Sequence, residues 1–492
     1  MRLEVLDEPN LIFGSGGRSL DPKLGLLSSG PCGLQPEDRG GVRVVRAGAV
    51  ASIPTLASLR QFLLVLRRRI SPESALSSKP WLVDFPGLGS GSPLRFDVRL
   101  EEDKVETIWR EEEETALAPS NRRDRIENVV QLYERKIATL IDETGAQRPE
   151  VLLLPISHET MRQCKDPSQE QDKIVYLRRT MERTRKRPPS DFPPLDFHNV
   201  LKVLGMKHSI PVQVIRPTTL ALTGTGLQDP ATIAWNFSVA AFYKGTGSPW
   251  KLAELDEKTC HVGISFYVEV GEDANLRAAM AQVYLRTGES QVIRGRPFHW
   301  KERQGRSPVL AENQAGDLLR DVIALYEDQW RKRPSRIVVH KRSRFLPQEI
   351  AGFESAAQGV DSLDLVHVFS SSSVRLYHLD KECSYPPLRG TLLSKEGAKD
   401  GILYTNGFVK ALGTYPGSSV PWGLRFSCDR LSTDVRTVAA DIMALTKLDW
   451  NNSNFSTGDP VTLSVAQKVG EILSETRARR MADVPHGYRF YM

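Results

Sequence analysis

Apolar positions along the chain alternate between helix-like and strand-like spacing. Within Asn121–Asp142, Ile126, Val129, Val130, Tyr133, Ile137, Leu140 and Ile141 recur three and four residues apart. That spacing lines one face of an amphipathic helix. A turn at Gly145–Pro149 leads into Val151–Leu154, an unbroken apolar run. Such a run suits a parallel strand buried on both faces. Asp196–Lys207 then reads as a helix and Pro211–Ile215 as a strand. Trp235–Gly245 reads as a helix closed by its glycine. Strand and helix in alternation predict an α/β sandwich around a parallel sheet.

A second block begins near Cys260. His261–Val270 is strand-like, and Gln291–Ile293 falls in a neighbouring strand. Leu318, Leu319, Val322, Ile323, Tyr326 and Trp330 mark an amphipathic helix, followed by a buried-strand pattern at Arg336–His340. Leu363–Phe369 and Val374–Leu379 add two short strands, and Leu463–Thr476 a closing helix. Ahead of both blocks, residues 10–40 read as Gly, Pro and Ser-rich loop. A strand from Val42, a helix at Leu56–Val65, another loop at Pro86–Pro93 and a strand at Phe96–Leu100 follow. The chain divides into residues 1–120, an extension with the start of the first unit, then 121–255 and 256–492.

Composition narrows the class. The 492 residues carry a formal net charge of +6, too small by itself to establish nucleic-acid binding. The basic residues are clustered, however, at Arg67–Arg69, Arg178–Arg187 and Arg331–Arg344. The five cysteines are scattered without a C-x-x-C pair, as expected of reduced thiols rather than a disulfide framework or zinc ribbon. The acidic start MRLEVLDEPN lacks the apolar core of a signal peptide, and no apolar run reaches the roughly 20 residues of a membrane span. The expected location is cytoplasmic. The P-loop pattern is absent, and the Gly-rich stretches are not placed as a dinucleotide fingerprint.

The candidate chemistry lies in FHNVLKVLGMKHSIPVQVI, residues 197–215, and WNFSVAAFYKGTGSPW, residues 235–250. His198 and Lys202 are four apart, hence one helical turn apart on one face. Gln213 follows on the next strand, and Lys244 closes the next helix ahead of Gly245. Two lysines supply point charges, and a His and a Gln supply directed hydrogen bonds, as a terminal phosphate requires. A terminal base can stack on the imidazole.

This order of residues resembles the guide 5′-end pocket of the Argonaute family, with His198 in the place of the usual Tyr. The resemblance covers most of the chain and is weakest in the first hundred residues. It implies a Rossmann-like MID domain (121–255) followed by an RNase H-like PIWI domain (256–492), with no N or PAZ domain, as in short prokaryotic Argonautes. It assigns guide 5′-phosphate binding to His198, Lys202, Gln213 and Lys244. It also implies Mg²⁺ held by Gln213 and the carboxylate of Met492, with PHGYRFYM as an aromatic-rich last strand; a mobile tail is the alternative.

Nuclease Argonautes hold two metal ions with a carboxylate tetrad. By resemblance the tetrad places fall here on Ser265, Lys341 and Gln467, and the Glu is not placed. No cleavage by this chain is expected. His340, Lys341, Arg342 and Arg344 are expected to form a positive rim on the nucleic-acid backbone, joined by Lys207. Arg178 and Arg179, in the run YLRRTMERTRKR, either line the channel or belong to a solvated loop.

The resemblance implies guide RNA, a single-stranded DNA target, and a TIR-APAZ or sirtuin-APAZ partner whose NAD⁺ hydrolase is switched on by target pairing. A guide-directed metal-dependent nuclease and a non-guided nucleic-acid scaffold are the competing classes.

Overall fold

The computed structural model describes residues 2–34, 41–73, 81–164, 196–222, 228–245, 247–254, 256, 258–268, 276–284, 290–299, 308–369, 374–377, 386–417, 420–476, 481 and 483–492. Two sheets dominate it. Strand β1 (Arg2–Val5) belongs to the larger, described below. The smaller is built from β2 (Arg43–Ser52), β3 (Phe96–Ile108), then helix α1 (Arg122–Thr144), β4 (Val151–Pro155), α2 (Phe197–Lys207), β5 (Val212–Ile215) and α3 (Pro230–Gly245). Its four strands are all parallel, in the order β3-β2-β4-β5.

The apolar run of β4 is buried as its composition predicts. Leu152 and Leu154 join α1 and α2 residues such as Val130, Ile137 and Leu201 in one core. Val151 and Leu153 face the opposite core, with Trp235 and Phe242 of α3. Helix α1 starts where the Asn121 side chain accepts from the Arg123 amide, and stops at Gly145 with φ +51°.

The larger sheet continues with β6 (Thr259–Val268), β7 (Leu276–Tyr284), β8 (Ser290–His299), α4 (Glu312–Trp330), β9 (Arg336–Lys341), α5 (Pro347–Ala356) and β10 (Ser362–Val368). The remaining elements are β11 (Thr391–Ser394), β12 (Asp400–Leu403), β13 (Leu424–Arg430), α6 (Val435–Leu445) and α7 (Val461–Leu473). Nine strands pair in the order β1-β11-β12-β13-β10-β9-β6-β7-β8. Strand β9 is parallel to both β6 and β10. Alternation assigns the two faces of the central strands. Cys260, Val262, Ile264, Ile337 and Val339 pack against α4 and α5. Gly263 and His340 face α7 instead. A β-carbon on Gly263 would lie 1.9 Å from the Thr462 carbonyl oxygen, and His340 Nδ1 is 2.8 Å from Thr462 Oγ1.

Several sequence expectations are corrected here. The start of the first unit placed before residue 120 contains β2 and β3 of the smaller sheet, whereas β1 extends the larger sheet beside β11. Residues 10–40 include a short helix, Pro22–Ser29, started by the Asp21 side chain. Val374–Tyr377 alternates like a strand yet has no regular structure, and the Val374 carbonyl accepts from the Tyr404 hydroxyl; positions 378 and 379 lie outside the described residues. The final aromatic segment is a 3₁₀ turn, Tyr488–Phe490, rather than a strand, with only Gly487 bridged to Gln291. Among the described residues no helix is long and apolar enough to cross a membrane, and Cys32, Cys164, Cys260 and Cys428 are free thiols.

The contact of β6 with α7 leaves no space for a methyl group. Gly263→Ala is expected to lower folding stability by about 3 kcal/mol or more, since both clashing groups are backbone. Urea unfolding of the full chain measures it; an unchanged midpoint would show that the helix is not held so closely.

Candidate anion-binding site

Helix α2 begins at Asp196, whose carboxylate accepts from the His198 and Asn199 amides. Val200, Leu201, Val203 and Leu204 anchor its apolar face. This anchoring aims His198 and Lys202 along the remaining stripe, where both are half-buried. The Lys202 ammonium donates to the Tyr491 carbonyl at 3.2 Å. On α3, Lys244 is 2% exposed. Its Nζ donates to Gln213 Oε1 at 2.6 Å and to the Val212 carbonyl at 3.0 Å. Gln213 is the one half-buried residue of β5, and its Nε2 donates to the Val214 carbonyl at 3.3 Å.

The structure therefore brings Gln213 and Lys244 into direct contact, with Lys202 and His198 in their electrostatic neighbourhood. Burial pushes the His198 pKa well below its usual value, and the charges of Lys202, Arg216 and Lys244 add to the effect. Burial lowers Lys202 to about 8, with Lys468 adding repulsion and Asp196 and Glu471 opposing it. Burial, then Lys202, drives Lys244 well down. No ion pair among the described residues includes Lys202 or Lys244. Buried cations without a counter-anion are unfavourable, so a bound anion would relieve the repulsion.

Two cations of this cluster are missing from the sequence reading. Arg216 follows β5 directly, and Lys468 comes from α7, far away in the chain. Lys468 had a visible signal, its place beside Gln467 on an amphipathic helix. Its proximity to Lys202 depends on how the two units pack.

The expected Mg²⁺ does not fit the donors present. Gln213 Oε1 is already engaged by Lys244, and the surrounding groups are mostly cationic. Mg²⁺ demands a near-octahedral set of oxygens. The Met492 side chain is buried in the core beside Tyr491, whose carbonyl receives Lys202, so the expected Met492 ligand stands one residue along from that contact. Among the described residues no group of three or more His, Cys, Asp or Glu could hold a metal ion.

No family model matches the sequence, and no curated protein does. Solved structures do. Clostridium butyricum Argonaute, bound to a guide DNA and a 19-mer target DNA, superposes with a TM-score of 0.64 at 13% identity, over 96% of this chain and 53% of that one. Drosophila Piwi gives 0.59 at 14% identity, over 100% of this chain and 56% of that one. A. aeolicus Argonaute gives 0.54 at 14% identity, over 98% and 54%. The fold is Argonaute-like. The chain spans about half the length of these Argonaute and Piwi structures.

In this Argonaute-like frame the three expected tetrad places do not meet. Ser265 is two residues beyond Gly263 on β6, so it shares the face that meets α7. Lys341 pairs in register with Ile264 and lies on the opposite face. It is 1% exposed, with Nζ 2.7 Å from both carboxylate oxygens of Glu349 and 4.4 Å from the Phe345 ring centroid. Its charge is spent in an internal ion pair and faces no nucleic acid. Gln467 is exposed and its amide reaches Glu471, so it points away from the sheet. The buried residues at that level of α7 are Val465, Ala466 and Val469. The residue of the β9 end that shares the Ser265 face is Arg342, which pairs with Asp459 at 2.6 Å just ahead of α7.

The positive rim is likewise reduced. His340 is fully buried, and burial, with His261 beside it, lowers its pKa to about 3, so it stays neutral and cannot reach a phosphate. Arg342 is half-exposed and Arg344 exposed, both at the surface. Lys207 is paired with Glu134 of α1. Arg178 and Arg179 lie outside the described residues.

The Lys341–Glu349 pair is structural. Glu349 also accepts from the Leu310 and Leu346 amides. Glu349→Gln removes the charge while keeping an acceptor, and is expected to cost about 3 kcal/mol by leaving the Lys341 ammonium buried and uncompensated. Chemical unfolding of the two proteins is the measurement; equal stability would mean that Lys341 finds water.

Proposed function

We propose that this chain is a nuclease-dead short Argonaute that holds the 5′-phosphorylated end of a guide strand and recognises a complementary strand by base pairing. The observation that carries the reading is the cluster of Lys202, Lys244, Gln213 and His198, with Arg216 and Lys468 beside it and too few acids to balance them. A terminal phosphate carries about −1.5 to −2 charges and several acceptor oxygens, which an internal phosphodiester does not match. His198, kept neutral by its surroundings, offers a flat ring for the first base.

Sequence reading is delegated to pairing, while the protein reads strand ends and backbone. The guide is proposed to be RNA and the target single-stranded DNA. Target pairing is proposed to activate an associated TIR-APAZ or sirtuin-APAZ protein that depletes NAD⁺ in defence against plasmids or phage.

Ser265, Arg342 and Val465 support the absence of cleavage: two-metal hydrolysis needs carboxylates, and carboxylates near this face are held by cations, Asp459 by Arg342 and both Asp364 and Asp441 by Arg336. The guide-directed nuclease is the alternative this arrangement opposes. The non-guided scaffold differs in binding phosphorylated and hydroxyl ends alike.

Competition binding with otherwise identical 5′-phosphate and 5′-hydroxyl RNA separates these readings. The wild type is expected to prefer the phosphate by about tenfold or more. Lys202→Gln combined with Lys244→Gln should bring the ratio near one while circular dichroism shows a folded chain. An equal ratio in the wild type sinks the proposal, and cleavage of a complementary strand with Mg²⁺ or Mn²⁺ would revive the nuclease.

A further inference from the structure

The pocket contains its own substitute for a metal. We infer that the Lys244 ammonium takes the place a divalent cation would hold between Gln213 and a terminal phosphate, so that the grip on the phosphate is independent of Mg²⁺. The inference rests on the reading of this pocket as a phosphate site.

Three observations lead to it. First, Gln213 Oε1 is the neutral oxygen that a cation would need, and Lys244 Nζ lies 2.6 Å from it. An ion at coordination distance from that oxygen would have to share the place with a buried amine. Second, the hydrogen-bond inventory of Lys244 leaves one donor for a ligand. An ammonium has three N–H groups, and the acceptors on the protein are Gln213 Oε1 and the Val212 carbonyl. Both are neutral, so they hold the head group without cancelling its charge.

Third, cationic groups are already gathered there. Lys202, Lys244, Arg216 and Lys468 lie in the electrostatic neighbourhood of the pocket, with Asp196, Glu471 and, at the Asp196 amide, Glu475 as acids. The negative charge of a terminal phosphate meets several basic groups without an added ion. A divalent ion would add two more positive charges beside amines that burial and mutual repulsion already disfavour in their charged form. Lysine on a rigid helix end differs from an ion in one further respect. It cannot dissociate, so the pocket keeps its cation at any free Mg²⁺ concentration.

The test uses the full chain and needs no variant. Affinities for 5′-phosphate and 5′-hydroxyl RNA are measured in Mg²⁺ and in EDTA at equal ionic strength, because all nucleic-acid contacts weaken with salt. The ratio of the two affinities is expected to agree between buffers within about twofold. A ratio that falls about tenfold or more in EDTA and returns with Mg²⁺ overturns the inference and leaves the phosphate site standing. A ratio of one in both buffers removes the phosphate site and the inference together. Calorimetric titration of MgCl₂ into the phosphorylated complex gives the direct readout. No saturable site with affinity tighter than about 1 mM is expected beyond that of the hydroxyl complex; one Mg²⁺ per complex, seen only with the phosphate, overturns it.

Discussion

Cations buried without acids to match them are the constraint around which the site is organised. Lys244 is sealed between α3 and β5 with only neutral oxygens on its head group. Lys202 leans on a single backbone carbonyl. Elsewhere the protein treats the same chemistry differently. Lys341 meets the Glu349 carboxylate with both oxygens at 2.7 Å, and Lys447 is bonded to Glu8 at 2.7 Å and to two backbone carbonyls. Lys23 shares the neutral contact, donating to the Trp81 carbonyl, but Lys202 and Lys244 repel each other as well, which holds an unfavourable state in reserve. The compensation comes from the apolar packing of α2 and α3 on the smaller sheet, and an anion is the natural complement.

Helix α7 connects this pocket to the surface where nuclease chemistry would lie. Its N-terminal side meets the larger sheet: Asp459 holds Arg342 just before the helix, and Thr462 bonds His340 and crowds Gly263. One turn and a half further on, Lys468 adds its charge to Lys202. The tight contact with β6 therefore fixes the distance between the two places. The C-terminal segment adds a second tie. His486 bonds Val292 of β8 through both its ring and its backbone, while Tyr491 receives Lys202. Displacement of the larger sheet would be felt at the pocket through both connections.

What the sequence made legible was the local part. The 3.6-residue period of α1, the double-sided burial of β4 and the four-residue spacing of His198 and Lys202 each arise within one element, so one stretch of sequence contains the whole signal. Lys244 was marked by the glycine that ends its helix. Arg216 and Lys468 were not, because their role depends on elements brought together from distant parts of the chain. The strand order of the smaller sheet was hidden for the same reason: β2 and β3 look like isolated strands until β4 pairs with β2.

The tetrad places failed for a different reason, parity. A strand turns every second side chain to the opposite face, so an assignment displaced by one residue lands on the wrong side of the sheet. Lys341 has the sequence context expected of the second metal ligand, yet its neighbour Arg342 shares the face of Ser265. The correction changes the physical account of the proposed inactivity. A lysine in the centre would repel metal by its charge alone. Instead a guanidinium at the edge of that face binds Asp459, Ser265 offers only a hydroxyl, and the helix presents apolar side chains where a ligand would be needed. Restoring any one carboxylate would leave the other two obstacles in place, so the proposed absence of cleavage rests on β6, β9 and α7 together rather than on a single substitution.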